Sequence, residues 1–326
     1  MIAIIPAAGI GTRLRPHTHT LPKALLYVAG RPIISHILDD VRELGVSSVV
    51  LIVGYKGELI EEYVSKEYTD LKTKFVYQTE RLGIGHAVYL TRDVADTGEP
   101  VLIILGDTIL RTDLEQIAES RTNVLGVKEV DDPRRFGVCE VRNGKIVRLV
   151  EKPKDPPSNL AMVGLYYIRD SSLLFEVLKQ QIESDVRNQG EYQITDALQM
   201  MIDRGAEFET FDIRDWFDCG KPEALLETNR QLLIGREEIP RTEGSIVIPP
   251  VSIAPTARVI NSIVGPYVSI ASSSIVENSI IRDSVLDQGS NVSNCLLQGS
   301  IIGSLAVVRG GFQHLNIGDS SEVVFE

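Results

Sequence analysis

The last third of the chain carries the pattern that most restricts its fold. Val247, Ile253, Val259, Val264, Ile270, Val276, Ile281, Leu286, Val292, Leu297, Ile302 and Val308 follow one another at steps of five or six residues, and all twelve are Val, Ile or Leu. Ser, Asn, Gly and Asp fill the gaps, and helical spacing is absent there. An aliphatic residue at this period, with small polar residues between, marks a hexapeptide-type parallel β-helix. Each aliphatic side chain points inward, and stacked coils bury a continuous apolar column that one coil alone leaves open. Three such positions per coil predict about four coils. An ordinary antiparallel β-domain is the alternative, and the regular steps argue against it.

The chain before Gly235 has a different grammar. Ile2–Ile5 is a short apolar run ending at Pro6, and Val49–Val53 and Val101–Leu105 are continuous aliphatic runs of the kind buried on both sheet faces. Between them, Ile34, Ile37, Leu38, Val41 and Leu44 recur at helical spacing before Gly45, Leu59–Val64 repeats the pattern, Phe75–Tyr77 is strand-like and His86–Val94 fits a helix. This alternation predicts a mainly parallel sheet covered by helices. From Asn123 the strands come closer together, with Asn143-Gly144 as a hairpin signal, Leu160–Ile168 as a strand, and helices over Leu173–Ile182, Ile194–Ile202 and Glu223–Leu233. The expected organisation is an α/β, Rossmann-like domain over 1–235, a polar linker over 236–244, and a left-handed parallel β-helix over 245–326.

Charge separates the classes of partner. The chain of 326 residues has a formal net charge of −12, which argues against nucleic acid and anionic membrane as partners, since both need a basic surface. The charge is uneven: Met1–Leu38 has no Asp or Glu and holds Arg13, Arg15, Lys23 and Arg31, a local +4. A small anionic ligand held by that segment is one reading, and a chance gap in acid placement is the other. Cys139, Cys219 and Cys295 match no zinc or redox spacing, so free thiols in a reducing, cytoplasmic setting are expected. The apolar start MIAIIPAAGIGTR lacks a basic leader, and no run approaches the ~20 apolar residues of a membrane helix.

Three segments carry possible chemistry. After the first strand comes Gly9-Ile10-Gly11-Thr12-Arg13-Leu14-Arg15-Pro16, then Pro22-Lys23. Glycines past a parallel strand let backbone N–H groups approach a phosphate, Arg13 offers a fork for phosphate oxygens and Lys23 a point charge. The string is neither a dinucleotide fingerprint, which needs a third glycine where Leu14 stands, nor a Walker loop, which needs Gly-Lys-Ser/Thr. Asp107 follows Gly106 at the carboxyl end of an apolar strand, where such sheets place ligands; it is either a Mg²⁺ ligand or a helix cap. Asp218, in Trp216-Phe217-Asp218-Cys219-Gly220, is either a second ligand or a turn residue.

Together with Leu105-Gly106-Asp107, Glu151-Lys152-Pro153 and Phe217-Asp218-Cys219-Gly220, the string Gly-x-Gly-Thr-Arg-Leu-x-Pro followed by Pro-Lys resembles the sugar-1-phosphate nucleotidyltransferases. Asp132–Val138, Val147–Leu165, Glu191–Leu198, Gly220–Leu226 and the ending Leu315–Val324 are most similar to the long form of glucose-1-phosphate thymidylyltransferase, which carries a C-terminal β-helix.

The resemblance implies transfer of a nucleotidyl group from an NTP, dTTP ahead of UTP, to glucose 1-phosphate with release of pyrophosphate. It assigns Arg13 and Lys23 to catalysis, Ala8, Gly9, Gly11, Thr12, Gln78 and Gly83 to the nucleotide, and Gly137, Glu151, Lys152 and Gly164 to the sugar phosphate. Asp107 and Asp218 would hold Mg²⁺. Three positions depart from the family pattern: Ala8 stands where many relatives have Gly, Thr108 where they have Asn, and Gln189 where an Arg precedes Gly-Glu. Another base or sugar, GTP with mannose 1-phosphate for instance, and a non-catalytic regulatory subunit are the rival readings. Some relatives carry an acetyltransferase on their β-helix, but His314 is the tail's only histidine, so packing or homo-oligomer assembly is the expected role there.

Overall fold

The computed structural model describes residues 1–237, 239–240, 242 and 244–311. His314 and the ending Leu315–Val324 lie outside the described residues. The chain divides into two compact units: Met1–Leu26 with Arg31–Thr228, and Tyr27–Gly30 with the chain from Asn229 onward.

In the first unit the strands of the main sheet and of the separate β5–β11 pair, in chain order, are β1 (Ile2–Pro6), β2 (Ser48–Val53), β3 (Thr73–Tyr77), β4 (Val101–Ile104), β5 (Thr108–Arg111), β6 (Asn123–Glu129), β7 (Gly137–Arg142), β8 (Lys145–Glu151), β9 (Leu160–Ile168), β10 (Phe208–Asp212) and β11 (Asp215–Asp218). The helices are α1 (Ile33–Glu43), α2 (Gly57–Glu67), α3 (Ile84–Tyr89), α4 (Arg92–Ala95), α5 (Leu114–Ala118), α6 (Ser171–Glu183) and α7 (Ile194–Asp203), and α8 (Pro222–Leu233) closes the series.

The main sheet runs β8-β7-β9-β4-β1-β2-β3, with β6 paired to β9 and to β10. Its β4-β1-β2-β3 part is parallel, as the alternation predicts, and β9 joins β4, β6 and β7 antiparallel, which makes the Rossmann-like sheet mixed. Successive strand residues serve opposite faces: Ile2, Ile4, Val50, Ile52 and Ile103 enter one apolar cluster, while Ala3, Ile5, Val49, Leu51 and Leu102 enter the other. Burial on both sides explains the unbroken aliphatic runs. Asn143 and Gly144 both take positive φ, 52° and 78°, and close the β7–β8 hairpin as their types require.

One helix differs from its expected extent. The segment His86–Val94 is broken into α3 and α4 at Thr91. The Thr91 N–H and hydroxyl both donate to the Val88 carbonyl, at 3.0 and 2.7 Å, tightening the last turn, and the chain restarts with Val94 and Ala95 donating to Thr91 O.

The second unit holds three parallel sheets of four short strands each, consistent with a left-handed β-helix. The twelve aliphatic positions form three vertical columns: Val247, Val264, Ile281 and Leu297; Ile253, Ile270, Leu286 and Ile302; Val259, Val276, Val292 and Val308. All belong to one apolar cluster, and the columns give four coils among the described residues. Tyr27–Gly30 joins this unit through buried Asn229, whose Oδ1 accepts from the Ala29 N–H at 2.9 Å and the Ser269 hydroxyl at 2.6 Å, while its Nδ2 donates to Tyr267 O at 3.0 Å.

Candidate active site

Parallel strands deliver the loop residues to one place. Beyond the carboxyl ends of β1 and β4, a cavity of about 290 Å³ is lined by Ala8, Gly9, Lys23, Gln78, Gly83 and Asp107, together with Arg81, Ile84 and Glu191. The Gly106 N–H donates to Pro6 O at 2.9 Å, binding the loop after β4 to the loop after β1. A Cβ at Gly106 would lie 2.8 Å from that same oxygen, so only glycine permits the approach. Gly83 is equally constrained: its φ is +103°, and a Cβ there would sit 2.5 Å from Tyr192 O. Gly9 is the opposite case, since a Cβ at Gly9 would meet nothing within 4 Å although the residue faces the cavity.

Charge is paired inside this space. Lys23, buried, donates from Nζ to Asp107 Oδ2 at 2.6 Å. Gly11 packs behind the lysine: its φ is +68°, and a Cβ would lie 3.1 Å from Lys23 Cβ. Asp218 reaches the same end of the sheet through the antiparallel β5–β11 pair, in which Asp218 stands opposite Thr108, the residue after Asp107. The Cys219 N–H donates to Asp107 O at 3.3 Å, which holds the two strand ends together. Exposed Arg13 lies alongside, because the space left by the missing side chain of Gly220 is 2.8 Å from both Arg13 Nη2 and Asp218 Oδ1. Thr12 is exposed and lines neither this cavity nor the one described below.

Two carboxylates at adjoining strand ends fit a hard cation that takes few protein ligands and completes its shell from phosphate and water. Among the described residues no group of three or more His, Cys, Asp or Glu forms a fuller metal cage. The pair is compatible with a divalent cation that takes few protein ligands.

The residues expected on the sugar side gather around Glu151. Gly137 pairs with Glu151 across the β7–β8 hairpin, and a Cβ on Gly137 would lie 3.1 Å from Glu151 Oε2. The Thr195 hydroxyl donates to Glu151 Oε2 at 2.6 Å, and Lys152 Nζ pairs with Oε1 at 3.1 Å, so both carboxylate oxygens are held. Glu151 also lines a second cavity of about 590 Å³ with Asn188, Asp196 and Gln199. Burial raises the carboxyl pKa of Asp196, and the nearby negative Glu151 adds to the rise. Gly164, with φ +82°, sits against the Leu105 side chain and accepts from the Leu105 N–H at 3.0 Å, so it shapes the turn before Asp107 rather than lining either cavity. Tyr166 is buried in the apolar core.

Arg81, Glu191 and Thr195 escape a reading by motif. A buried threonine in the first turn of α7 looks like packing until the fold sets it beside Glu151, 44 residues earlier. Arg81 lies between Gln78 and Gly83, and Glu191 opens the run Glu191–Leu198, but charge alone does not say which way a loop faces.

A family model described as nucleotidyl transferase matches residues 2–234. The UTP–glucose-1-phosphate uridylyltransferase AglF of Haloferax volcanii is 35% identical over 241 residues, 71% of this chain and 96% of that protein. The bifunctional protein GlmU of Methanocaldococcus jannaschii is 37% identical over 238 residues, 72% of this chain; the chain spans about half, 54%, of that relative's length. Among solved structures, a Bacillus anthracis protein assigned as a glucose-1-phosphate thymidylyltransferase, in complex with a sucrose, matches with a TM-score of 0.62 and 28% identity over 74% of this chain and 98% of its own.

Proposed function

The chain belongs to the nucleotidyl transferase family, and on that premise we propose that it transfers a nucleotidyl group from dTTP or UTP to glucose 1-phosphate, giving the NDP-glucose and pyrophosphate. The observation that supports this reading most is one cavity at the carboxyl ends of β1 and β4. It joins a cation–carboxylate pair (Lys23, Asp107), backbone open to close approach (Ala8, Gly9) and an amide (Gln78).

A phosphate oxygen of the sugar phosphate attacks the α-phosphorus, and the bond from that phosphorus to the bridging oxygen of the leaving pyrophosphate breaks. With no covalent enzyme intermediate required, the protein's task is alignment and charge neutralisation. Asp107 and Asp218 would hold a magnesium ion, which when bound would supply positive charge to offset the charge developing on the phosphates. Ala8, Gly9 and Gly11 shape the backbone that receives the phosphates, and Thr12 lies next to them. Lys23 exchanges its ion pair with Asp107 for a phosphate oxygen, and Arg13 steadies the departing pyrophosphate. Gln78 and Gly83 receive the base. Glu151, held by Thr195, accepts from sugar hydroxyls; Lys152 pairs with the sugar's phosphate; Gly137 leaves room beside them and Gly164 shapes the wall near Asp107.

The β-helix is assigned to packing and to assembly of like copies. Among the described residues no helix is long and apolar enough to cross a membrane. The three free cysteines fit a reducing cytoplasm.

Pyrophosphate release tests the reading, measured with dTTP, UTP, CTP and GTP against glucose 1-phosphate and mannose 1-phosphate. Turnover is expected only with both substrates and a divalent cation, fastest for dTTP or UTP with glucose 1-phosphate, and chelation abolishes it. No turnover of any pair with Mg²⁺ would overturn the reading, and a faster GTP–mannose 1-phosphate reaction would redirect it.

A further inference from the structure

Gln78 lines the nucleotide cavity, and its amide is held from behind. Nε2 donates to Gly83 O at 3.1 Å and lies 3.3 Å from His86 Nδ1. A backbone carbonyl only accepts, so the amide nitrogen and not its oxygen faces Gly83. The second Nε2 hydrogen then meets His86 Nδ1, which must be an acceptor, so His86 carries its proton on the other ring nitrogen and is neutral. Oε1 takes part in neither contact, and Gln78 lines the cavity.

From this geometry we propose that His86 is a positioning residue for base selection, holding the Gln78 amide so that its oxygen faces the base. An acceptor at that place pairs with the N3–H of uracil or thymine and opposes cytosine, whose N3 is itself an acceptor. The proposal rests on the reading of this cavity as the nucleotide site and adds how the base is chosen.

The charge state of His86 supports the arrangement. Burial lowers its pKa from the ordinary 6.5, against the opposing pull of Glu80. The Tyr192 ring lies 6.4 Å away, and Arg81 and Glu191 face the same cavity. Protonation at Nδ1 would set one donor against another, and turning the amide would place Oε1 against Gly83 O. The sign follows: UTP binding weakens as pH falls through the lowered His86 pKa, below 6.5, and is insensitive to this group above it.

The test compares kcat/KM for UTP, dTTP and CTP at saturating glucose 1-phosphate in wild type, His86→Ala and His86→Asn. The Asn Oδ1 offers an acceptor where Nδ1 stood and does not titrate. The wild type prefers UTP or dTTP over CTP, and its KM for the preferred nucleotide rises on acidification. His86→Ala narrows the preference about tenfold, through the nucleotide KM, with kcat and the sugar KM within about twofold. His86→Asn keeps the preference and loses the acid rise. Unchanged discrimination in His86→Ala, or equal loss in both variants, would overturn the role of His86 alone. Wild type that uses neither UTP nor dTTP would overturn the parent reading and this one with it.

Discussion

Gly9 and Gly83 are glycines for different physical reasons. Gly83 is imposed by the protein: φ is +103° and Tyr192 O occupies the place of a Cβ. Gly9 is not, since a Cβ there meets nothing within 4 Å; under the proposed function it is the nucleotide that needs the space a side chain would take. Gly9→Ala is therefore expected to melt within about 0.5 kcal/mol of wild type while the KM for nucleotide rises several-fold. Gly83→Ala is expected to lose about 1–3 kcal/mol of stability before any effect on catalysis is asked. Differential scanning calorimetry with nucleotide titration separates the two, and a destabilised, fully active Gly9→Ala would contradict this account. Arg13, Lys23 and Asp107 stood out as candidates from residue type and spacing, and the fold places Lys23 and Asp107 in contact. Thr195 and His86 did not stand out. Each touches its partner through a register or turn that only the folded chain creates, and a lone Thr or His in an apolar helix reads equally well as core.

The coil of the β-helix is the element in which pattern and structure agree most closely. Every inward position expected from the five- and six-residue steps stands in one of three columns. Neighbouring outward positions are free of that constraint: Ile281 is fully buried, whereas Leu296, one residue before the column residue Leu297, is 80% exposed. Ile281→Ala is expected to cost about 2–5 kcal/mol through lost apolar burial and a cavity between coils. Leu296→Ala is expected to stay within about 0.5 kcal/mol. Urea unfolding followed by circular dichroism checks the contrast, and equal losses would deny the inward column. In the α/β part, aliphatic runs and helical spacing marked the elements because burial imposes both. The break between α3 and α4 went unseen because it depends on the Thr91 hydroxyl turning back to Val88 O, which spacing does not record. Tyr27–Gly30 belongs with the second unit through the hydrogen bonds of Asn229, and no periodicity links residues 200 positions apart.

At the scale of the whole molecule, composition bears on the classes of partner expected but does not by itself locate a site. The net charge of −12 is an average, and the local +4 of the acid-free start coincides with the segment that brings Arg13 and Lys23 beside Asp218 and Asp107. The three cysteines are all buried and free, and burial pushes the Cys139 and Cys219 thiols up to about 11 and about 12. A thiol reagent is expected to label none of them rapidly in the native protein at pH 8 and all three after denaturation, because the reactive thiolate is scarce and inaccessible. Rapid native labelling, read by absorbance or mass, would show a more open fold. The central claim is that the chain performs nucleotidyl transfer at the strand ends where Asp107 and Asp218 meet. Its most direct test is the Mg²⁺-dependent rate of pyrophosphate release from the preferred nucleotide and glucose 1-phosphate in Asp107→Asn and Asp218→Asn, beside an exposed control, Asp93→Asn. The account predicts that each site variant falls by about a hundredfold or more while circular dichroism shows it folded at the assay temperature, and that the control keeps wild-type activity; site variants as active as the control would contradict it.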